Sequence, residues 1–322
     1  MSKNTKIWLA VAISLILIGI MLFGGVMMSL NWNFSKLSTV KYVTNTHQIG
    51  EDFDDILIDT GWAKIEFVLS EDGLCKVVCH ERENLKNNVS VKDGVLSVTV
   101  QDQRKWYEHI SIMDFDSPKI TVYLPKSEYG SLSVKGSTGD IIVPADFNFE
   151  NADIKTSTGD VSMYASSKGN IEIKTTTGDI KTEKITAKTV SLSVTTGHIN
   201  ASLIECEGDF SVKVSTGKTA LTDVKCHNLT TSGSTGDTVL KNVIVTGKLY
   251  AKRSTGDVKL EKCDAGEIFI ETDTGSVKGS LLSEKVFIVE TDTGSINVPK
   301  TSKGGRCEIS TDTGDIKISI VK

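Results

Sequence analysis

The residues that could carry out chemistry in this chain are its six cysteines, its five histidines and its many carboxylates. Six cysteines could pair as disulfides if the chain is exported, and carboxylates could bind a cation or act as acids and bases. The histidines have no spacing typical of metal ligands, and the motifs of nucleophile elbows, phosphate loops and metalloproteases are absent. The cysteines and carboxylates therefore have to be interpreted from the elements that carry them.

Those elements are set by an internal repeat, because Thr-Gly recurs ten times at intervals of 19 or 20 residues. Such even self-similarity is typical of a solenoid. The repeat glycines are Gly139, Gly159, Gly178, Gly197, Gly217, Gly236, Gly256, Gly275, Gly294 and Gly314. Each is a turn at which the chain needs a tight corner, a conformation that glycine adopts most easily.

Apolar residues recur seven and five positions before the repeat glycines and two positions after them, with Thr231, Thr219 and Thr238 as the polar members of these rows. A further apolar row, seven positions after the glycine, runs from Ile185 to Leu282. Rows of this kind indicate strands that bury one face. The sequence therefore predicts an all-β fold with a parallel β-solenoid of about ten coils over residues 129–322, and a rod about 48 Å long at ~4.8 Å per coil.

Residues 51–128 alternate between apolar and polar positions with Asp-Gly turns between them, which predicts an N-terminal β-rich region that caps the array. Strands are expected at residues 56–60, 64–69, 75–80, 89–92, 95–100 and 120–124. Asp59-Thr60-Gly61 resembles the later turns, so the array could effectively begin there.

Residues 7–28 are uncharged and largely apolar, which predicts one transmembrane helix. Lys3 and Lys6 precede this span and no charge follows it before Lys36. The positive-inside rule then makes residues 1–6 a cytoplasmic tail, residues 29–50 a linker and the solenoid extracytoplasmic. An uncleaved signal anchor is favoured because no small-x-small cleavage site follows the apolar core, and a cleaved signal peptide is the alternative.

The repeat turn reads Ser/Thr-Thr-Gly-Asp in five coils and Asp-Thr-Gly in the last three. A structural corner is the favoured interpretation, since Thr and Asp side chains bond nearby backbone groups. The alternatives are a calcium site, although calcium-binding nonapeptide repeats are shorter and richer in glycine, and an ice-binding array of Thr-x-Thr pairs such as Thr156 and Thr158. Alternation predicts that these threonines point inward, whereas an ice-binding face must point outward. We predict no metal and no cofactor.

The cysteines fall at positions that other coils fill with aliphatic residues. Cys263 and Cys307 occupy apolar rows, and Cys206 and Cys226 match Ala or Val in other coils. Free core cysteines are therefore predicted, with a bridge between Cys206 and Cys226 as the alternative. The Cys75-x-x-x-Cys79-His80 sequence is not a metal site, because on a strand its cysteines lie about 13 Å apart and its histidine points away from them.

Several motifs together resemble a bacterial family known as the putative adhesins. They are the apolar N-terminus, Ile58–Gly61, Lys92–Gly94, Val122–Pro125 and the Ser-Thr-Gly-Asp-Ile/Val repeats, which cover the chain from about Asp52 to its end. The resemblance implies a β-solenoid exposed at the cell envelope, with some relatives linked to envelope-stress loci. It implies no catalytic residues.

These observations favour a non-catalytic binding or structural module whose partner is a cell-envelope component or a membrane signalling protein. The alternative is a carbohydrate-active β-helix enzyme, which would need one coil that breaks the repeat. A net charge of −5 excludes a typical nucleic-acid surface. Tyr250, Phe269 and Ile288 share an outward row in three consecutive coils, so we expect an exposed apolar strip for a partner or for self-association.

Overall fold

The computed structural model describes residues 2–33, 40–100 and 116–321. The expectations for Met1 in the tail, residues 34–39 of the linker, residues 101–115 of the cap region and Lys322 lie outside this part of the chain. All the statements that follow concern the described residues.

The first element is the helix α1, Lys3–Ser29, which Ser2 caps by accepting a hydrogen bond from the Thr5 amide at 3.2 Å. Its apolar window has a mean hydropathy of 2.7, and within the described ranges it is the one helix long and apolar enough to cross a membrane. Since a signal sequence meets the same criterion, the helix is a candidate anchor or signal sequence.

The rest of the described chain is built from strands. Seven precede the repeats: Tyr42–Ile49 (β1), Asp55–Trp62 (β2), Lys64–Leu69 (β3), Cys75–Arg82 (β4), Asn87–Lys92 (β5), Val95–Val100 (β6) and Lys119–Leu124 (β7). The array continues with Glu128–Thr138 (β8), Ile141–Val143 (β9), Asn148–Thr158 (β10), Val161–Met163 (β11), Ser166–Ser167 (β12), Asn170–Thr177 (β13), Ile180–Ala187 (β14), Thr189–Thr196 (β15), Ile199–Cys206 (β16), Asp209–Thr216 (β17), Thr219–Cys226 (β18) and Asn228–Thr235 (β19). It ends with Thr238–Thr255 (β20), Val258–Thr274 (β21), Val277–Leu281 (β22), Lys285–Thr293 (β23), Ile296–Asn297 (β24), Gly305–Thr313 (β25) and Ile316–Ile320 (β26).

The predicted parallel β-solenoid is confirmed, and each coil is named here by its repeat glycine. One side of every coil ends at this glycine, and strands on this side pair in parallel, as β10 does with both β8 and β13. A second side begins two residues after the glycine, where β11 pairs with β9 and β14. We call the side that ends at the glycine side 1.

The repeat turn depends on glycine for two reasons. All ten repeat glycines have φ between 117° and 158°, a region that favours glycine. In addition, a Cβ at any of them would lie less than 3.0 Å from a backbone carbonyl of the next turn in the stack. The close stacking of turns therefore excludes every other residue type.

A second corner, six positions after the glycine, is made without glycine. Lys184, Leu203, Asp223, Asn242 and Lys262 all have φ between 50° and 57° there. The position six after the glycine is occupied by Lys, Leu, Asp or Asn in these coils, so no single residue type marks the bend in the sequence. This second corner turns the apolar row that begins at Ile185 toward the core.

The first coil is formed by β2 and β3, which pair in parallel with β8 and β9. The sequence predicted that the array starts at residue 129, but in the structure the array starts earlier, with β2. Its turn is not Thr60-Gly61 but Trp62-Ala63, because Trp62 pairs with Thr138 and the Ala63 amide donates to the Thr138 carbonyl at 3.0 Å. The Asp-Thr-Gly resemblance was therefore out of register by two residues.

The end of this first coil is covered by the other N-terminal strands. β6 pairs in parallel with β2 and β7 with β3, while β5 and β4 continue the sheet in antiparallel fashion. Leu96, Val98, Ile120 and Val122 are fully buried against the coil. These strands act as the predicted cap, and all six strands expected before residue 125 are present.

The predicted linker 29–50 is wrong for residues 42–49, which form β1. This strand pairs with β4 in antiparallel register from Tyr42–Arg82 to Ile49–Cys75. None of its residues is fully buried. An edge strand of this kind lacks the apolar alternation by which a strand is recognised from sequence.

The last two coils are exchanged in space relative to their order in the chain. β21 pairs with β25 rather than with β23, and β25 in turn pairs with β23. The second side agrees, because β26 lies between β22 and β24. The coils therefore stack in the order Gly256, Gly275, Gly314 and Gly294, and the chain's final strands fill a gap that β22 and β23 leave open.

An ion pair between the buried Lys285 and the partly exposed Asp264 holds the segment that passes this gap. The Lys285 Nζ lies 2.7 Å from the Asp264 Oδ1 and 2.5 Å from the Ser283 Oγ. Burial alone would raise the pKa of Asp264, but the hydrogen bonds from Lys285 and Ser283 hold that pKa below its ordinary value. Gly305 pairs with Lys285, and a Cβ at Gly305 would lie less than 3.0 Å from the Gly266 carbonyl oxygen of the neighbouring coil.

The same region corrects one predicted core position. Leu282 is 40% exposed, and Leu281 takes its place in the apolar row by pairing with Cys263. The register shifts between Leu260 and Cys263 because this coil reaches the row one residue earlier than the others. Counting from the repeat glycine cannot detect such a deletion.

Candidate binding surfaces

The outward face of side 1 carries two aromatic residues in adjacent coils. Tyr250 on β20 pairs with Phe269 on β21, and both are half-buried. The Lys248 Nζ lies 4.0 Å from the centre of the Phe269 ring, and the Arg306 Cζ lies 5.5 Å from it. Cations at these distances are attracted to the ring face. We call Tyr250, Phe269 and these two cations the aromatic patch.

The expected strip of Tyr250, Phe269 and Ile288 is not continuous. Phe269 pairs with Glu308, and Glu308 pairs with Ile288 on the far side. An acid therefore lies between the aromatic pair and the isoleucine, because the last two coils are exchanged. Ile288 belongs instead to the last strand of the stack, where it is 49% exposed.

Ion pairs border the aromatic patch. The Lys252 Nζ lies 2.6 Å from the Glu271 Oε1, and Arg306 contacts Glu308. The hydrogen bond to Glu271 raises the pKa of Lys252. The Tyr250 hydroxyl donates to the Glu271 Oε2 at 3.4 Å. The patch thus presents rings, cations and acids together, which suits a ligand with both apolar and charged groups.

The acids of the repeat turns bond to backbone rather than to one another. The Asp160 amide donates to the Asp140 Oδ1 at 3.0 Å, and the Asp179 amide donates to the Asp160 Oδ1 at 2.8 Å. In the Gly197 coil His198 takes over, with its Nδ1 accepting from the Lys218 amide at 2.9 Å. The turns are therefore structural corners. Within the described ranges no three His, Cys, Asp or Glu residues form a group that could hold a metal ion.

The Thr-x-Thr pairs divide between interior and surface. Thr156, Thr175, Thr272 and Thr311 are buried, as alternation predicted. Their partners next to the glycine, such as Thr158 and Thr177, are exposed. The inward expectation was therefore wrong for this second row, because the chain has already begun to turn.

Sequence reasoning missed one buried cation. Arg253 is 0% exposed and points along the interior of the array. Its Nε donates to the Thr238 Oγ1 at 2.7 Å and its Nη2 to the Thr219 Oγ1 at 2.6 Å. Its Nη1 donates to the Val214 carbonyl at 2.9 Å. Burial lowers the pKa of Arg253, with a smaller opposing effect from Asp237.

The signal for this cluster lies in the exceptions to the apolar rows. Thr219 and Thr238 occupy a row that is otherwise Ile or Val, and they are neighbours in the stack. Gly233 and Arg253 lie three positions before their repeat glycines, where most coils have Thr or Val. A Cβ at Gly233 would lie less than 3.0 Å from the Arg253 guanidinium and from the Val214 carbonyl. Polar and small residues in adjacent coils thus mark the space that a long side chain fills.

All six cysteines are free and buried, which confirms their predicted core positions. Burial raises the pKa of Cys75 to about 11. Burial also raises the pKa of Cys79, Cys226 and Cys307 to about 12. Because the thiolate is the reactive species, these cysteines are protected chemically as well as sterically.

We therefore expect a maleimide at pH 7 to label few or none of these thiols in the native protein and all six after unfolding. Mass spectrometry of the labelled chain measures both states. An exposed Ser254→Cys variant is the control and should gain one rapidly labelled site. Recovery of two or four thiols after unfolding without reductant would instead demonstrate disulfides.

Comparison with known proteins adds a family and a group of folds. The family described as Toastrack DUF4097 matches residues 53–209 and 204–322. No curated protein matches the chain by sequence.

Three solved structures are similar to the chain at low sequence identity. A putative adhesin from Bacteroides fragilis NCTC 9343 is 17% identical with a TM-score of 0.44, covering 87% of this chain and 97% of that one. A putative adhesin from Parabacteroides merdae ATCC 43184 is 15% identical with a TM-score of 0.44, covering 87% and 96%. A putative lipid binding protein from Parabacteroides distasonis ATCC 8503 is 15% identical with a TM-score of 0.34, covering 86% and 97%. Similarity at this level says nothing about what the present chain binds.

Proposed function

This chain belongs to the Toastrack DUF4097 family, and on that premise we propose that it is a membrane-anchored, non-catalytic binding module of the cell envelope. The observation that carries the proposal is the aromatic patch. Tyr250 and Phe269 stand in register on a rigid parallel array, held beside cations and acids. Aromatic residues that are half-buried on the outward face of a sheet keep part of each ring accessible, and aromatic residues are typical anchors of binding surfaces.

The anchoring part of the proposal rests on α1 and its flanking charges. The helix is long and apolar enough to cross a bilayer, and Lys3 and Lys6 lie at its N-terminal end. The positive-inside rule then favours an extracytoplasmic array. The partner we propose is an envelope component or a membrane signalling protein that offers apolar surface with charged groups at its edge.

We expect the full chain carrying Tyr250→Thr and Phe269→Ser to lose about tenfold or more of its affinity for isolated cell envelopes, since aromatic anchors dominate such contacts. Both substitutions introduce residue types that the same row has elsewhere, and both sites are half-buried, so the fold should be retained. Cosedimentation of the detergent-solubilised chain with envelopes measures the affinity.

The matched control changes the same row in two other coils, with Ser211→Thr and Thr230→Ser. It should bind as the unmodified chain does. Equal binding by the patch variant and the control would refute the proposed surface.

Orientation is tested with the Ser254→Cys chain, which a membrane-impermeant maleimide should label on intact protoplasts. Labelling only after permeabilisation would contradict an extracytoplasmic array.

A further inference from the structure

The stack of coils ends with an open core at the Gly294 coil. Ile296 is 47% exposed, whereas its equivalents Val277 and Ile316 in the two preceding coils are fully buried. Phe287 and Val289, which occupy the two inward rows of β23, are only half-buried. Apolar side chains that every inner coil covers are therefore exposed to solvent at this end.

The two ends of the array differ in this respect. At the N-terminal end, β6 and β7 extend the sheet beyond the first coil and bury Ile56 and Ile65. At the other end, β23 pairs only with β25 and β24 only with β26 among the described strands. The described chain thus supplies capping strands for one end and no further strand at the other, where Val298 packs against the core and the Thr301 hydroxyl donates to the Lys285 carbonyl.

The uncovered edge has the properties of a pairing strand. β23 is nine residues long and contains no proline, and its pairing with β25 is regular from Lys285 to Thr293. Val286 and Ile288 on its outer face are 38% and 49% exposed. Edges that must stay unpaired are normally short, bulged or charged. β23 is neither short nor bulged, and its two acids, Glu290 and Asp292, lie in its second half, so it is suited to a further strand whose charges do not oppose those acids.

We infer that the occupant of this edge is β23 of a second copy of the chain, in antiparallel register about a two-fold axis at Val289. A two-fold interface requires a strand that complements itself, and β23 does so in this register. On the outer face Ile288 lies opposite Glu290, and Val286 lies opposite Asp292. On the inner face Phe287 lies opposite Thr291 and the two Val289 side chains meet, which extends the core across the interface.

The adjacent registers that keep the same residues inside place like charges opposite each other. An axis at Ile288 sets Glu284 against Asp292, and an axis at Glu290 sets the two Glu290 side chains against each other. The next registers do the same, since an axis at Phe287 sets Glu284 against Glu290 and an axis at Thr291 sets Glu290 against Asp292. Like charges directly opposite destabilise an antiparallel pair. The pattern of acids on β23 therefore selects the Val289 register. This association is independent of the aromatic patch and goes beyond the envelope binding proposed above.

The test compares two charges at one site in the detergent-solubilised full chain. Ile288→Glu places an acid opposite Glu290 twice in each dimer, whereas Ile288→Lys places an ammonium there. Because Ile288 is 49% exposed, both variants should fold. We expect a dimer for the unmodified chain, a dissociation constant raised about tenfold or more for Ile288→Glu, and a dimer retained at low salt for Ile288→Lys.

Sedimentation velocity measures all three proteins. A monomeric unmodified chain, or equal weakening by glutamate and lysine, would overturn the inference. A Val289→Cys chain should also form an interchain disulfide, while Thr293→Cys, about 27 Å from its symmetry mate in this register, should not. Envelope cosedimentation of the Ile288→Glu chain separates the two proposals, because loss of the dimer with retained envelope binding leaves the aromatic patch unaffected.

Discussion

Gly233→Ala is expected to destabilise the array by about 3 kcal/mol or more, since overpacking against backbone cannot relax easily. The new Cβ would lie less than 3.0 Å from the Val214 carbonyl oxygen and from the Arg253 guanidinium. The arginine is fully buried and bonded at three nitrogens, so it has no space into which to move. Urea unfolding followed by circular dichroism measures the loss.

Gly136→Ala is the matched control for this substitution. Gly136 occupies the same position relative to its repeat glycine, but the nearest atom to its added Cβ is the Thr156 Oγ1 at 3.6 Å, which is ordinary contact. We expect it to change stability by less than about 1 kcal/mol. Similar losses for the two variants would mean that backbone freedom, rather than the buried arginine, explains the glycine at 233.

The second large effect is expected from Thr219→Val combined with Thr238→Val, which should cost about 3–5 kcal/mol. The two hydroxyls accept hydrogen bonds from Arg253 at 2.6 and 2.7 Å, and valine removes both acceptors while leaving the cation buried. Adding Arg253→Met to this pair removes the charge and restores an apolar interior. The triple variant should therefore regain most of the lost stability.

Thr182→Val is the control for the threonine substitutions. Thr182 is equally buried, but its hydroxyl has no hydrogen-bond partner in the described structure. Removing that hydroxyl should leave stability unchanged or slightly increased. A triple variant no more stable than the Thr219/Thr238 pair would show that the arginine and the threonines do not act as one unit, since coupled residues give non-additive losses.

Both predictions concern side chains that break the repeat, and they show where sequence reasoning stopped. Thr219 and Thr238 share one row, Gly233 and Arg253 share another, and the four residues are spread over three coils. Only the stacking of the coils brings them together. Counting positions from the repeat glycines shows which residues are equivalent in different coils. It does not show a contact between residues of different rows, such as that of Arg253 with Thr219 and Thr238.

The same limit affected the proposed partner surface. Tyr250 and Phe269 were expected to be adjacent, and they are. Ile288 was expected beside Phe269, and Glu308 stands there instead. The outward direction of all three follows from alternation, whereas their neighbours depend on which coil stacks on which.

The sequence by itself determined the local features of this protein, which are the coil length, the glycine corner, the inward rows and the apolar N-terminal helix. Each depends on residues close in the chain, on period-2 alternation, or on the apolar length that a bilayer requires. Tertiary structure decided the spatial order of the last coils and therefore which end stays open. The reason is that coils sharing one period and one set of rows can stack on each other in either order. The choice falls to particular contacts, such as Lys285 with Asp264 and the close approach of Gly305 to the Gly266 backbone.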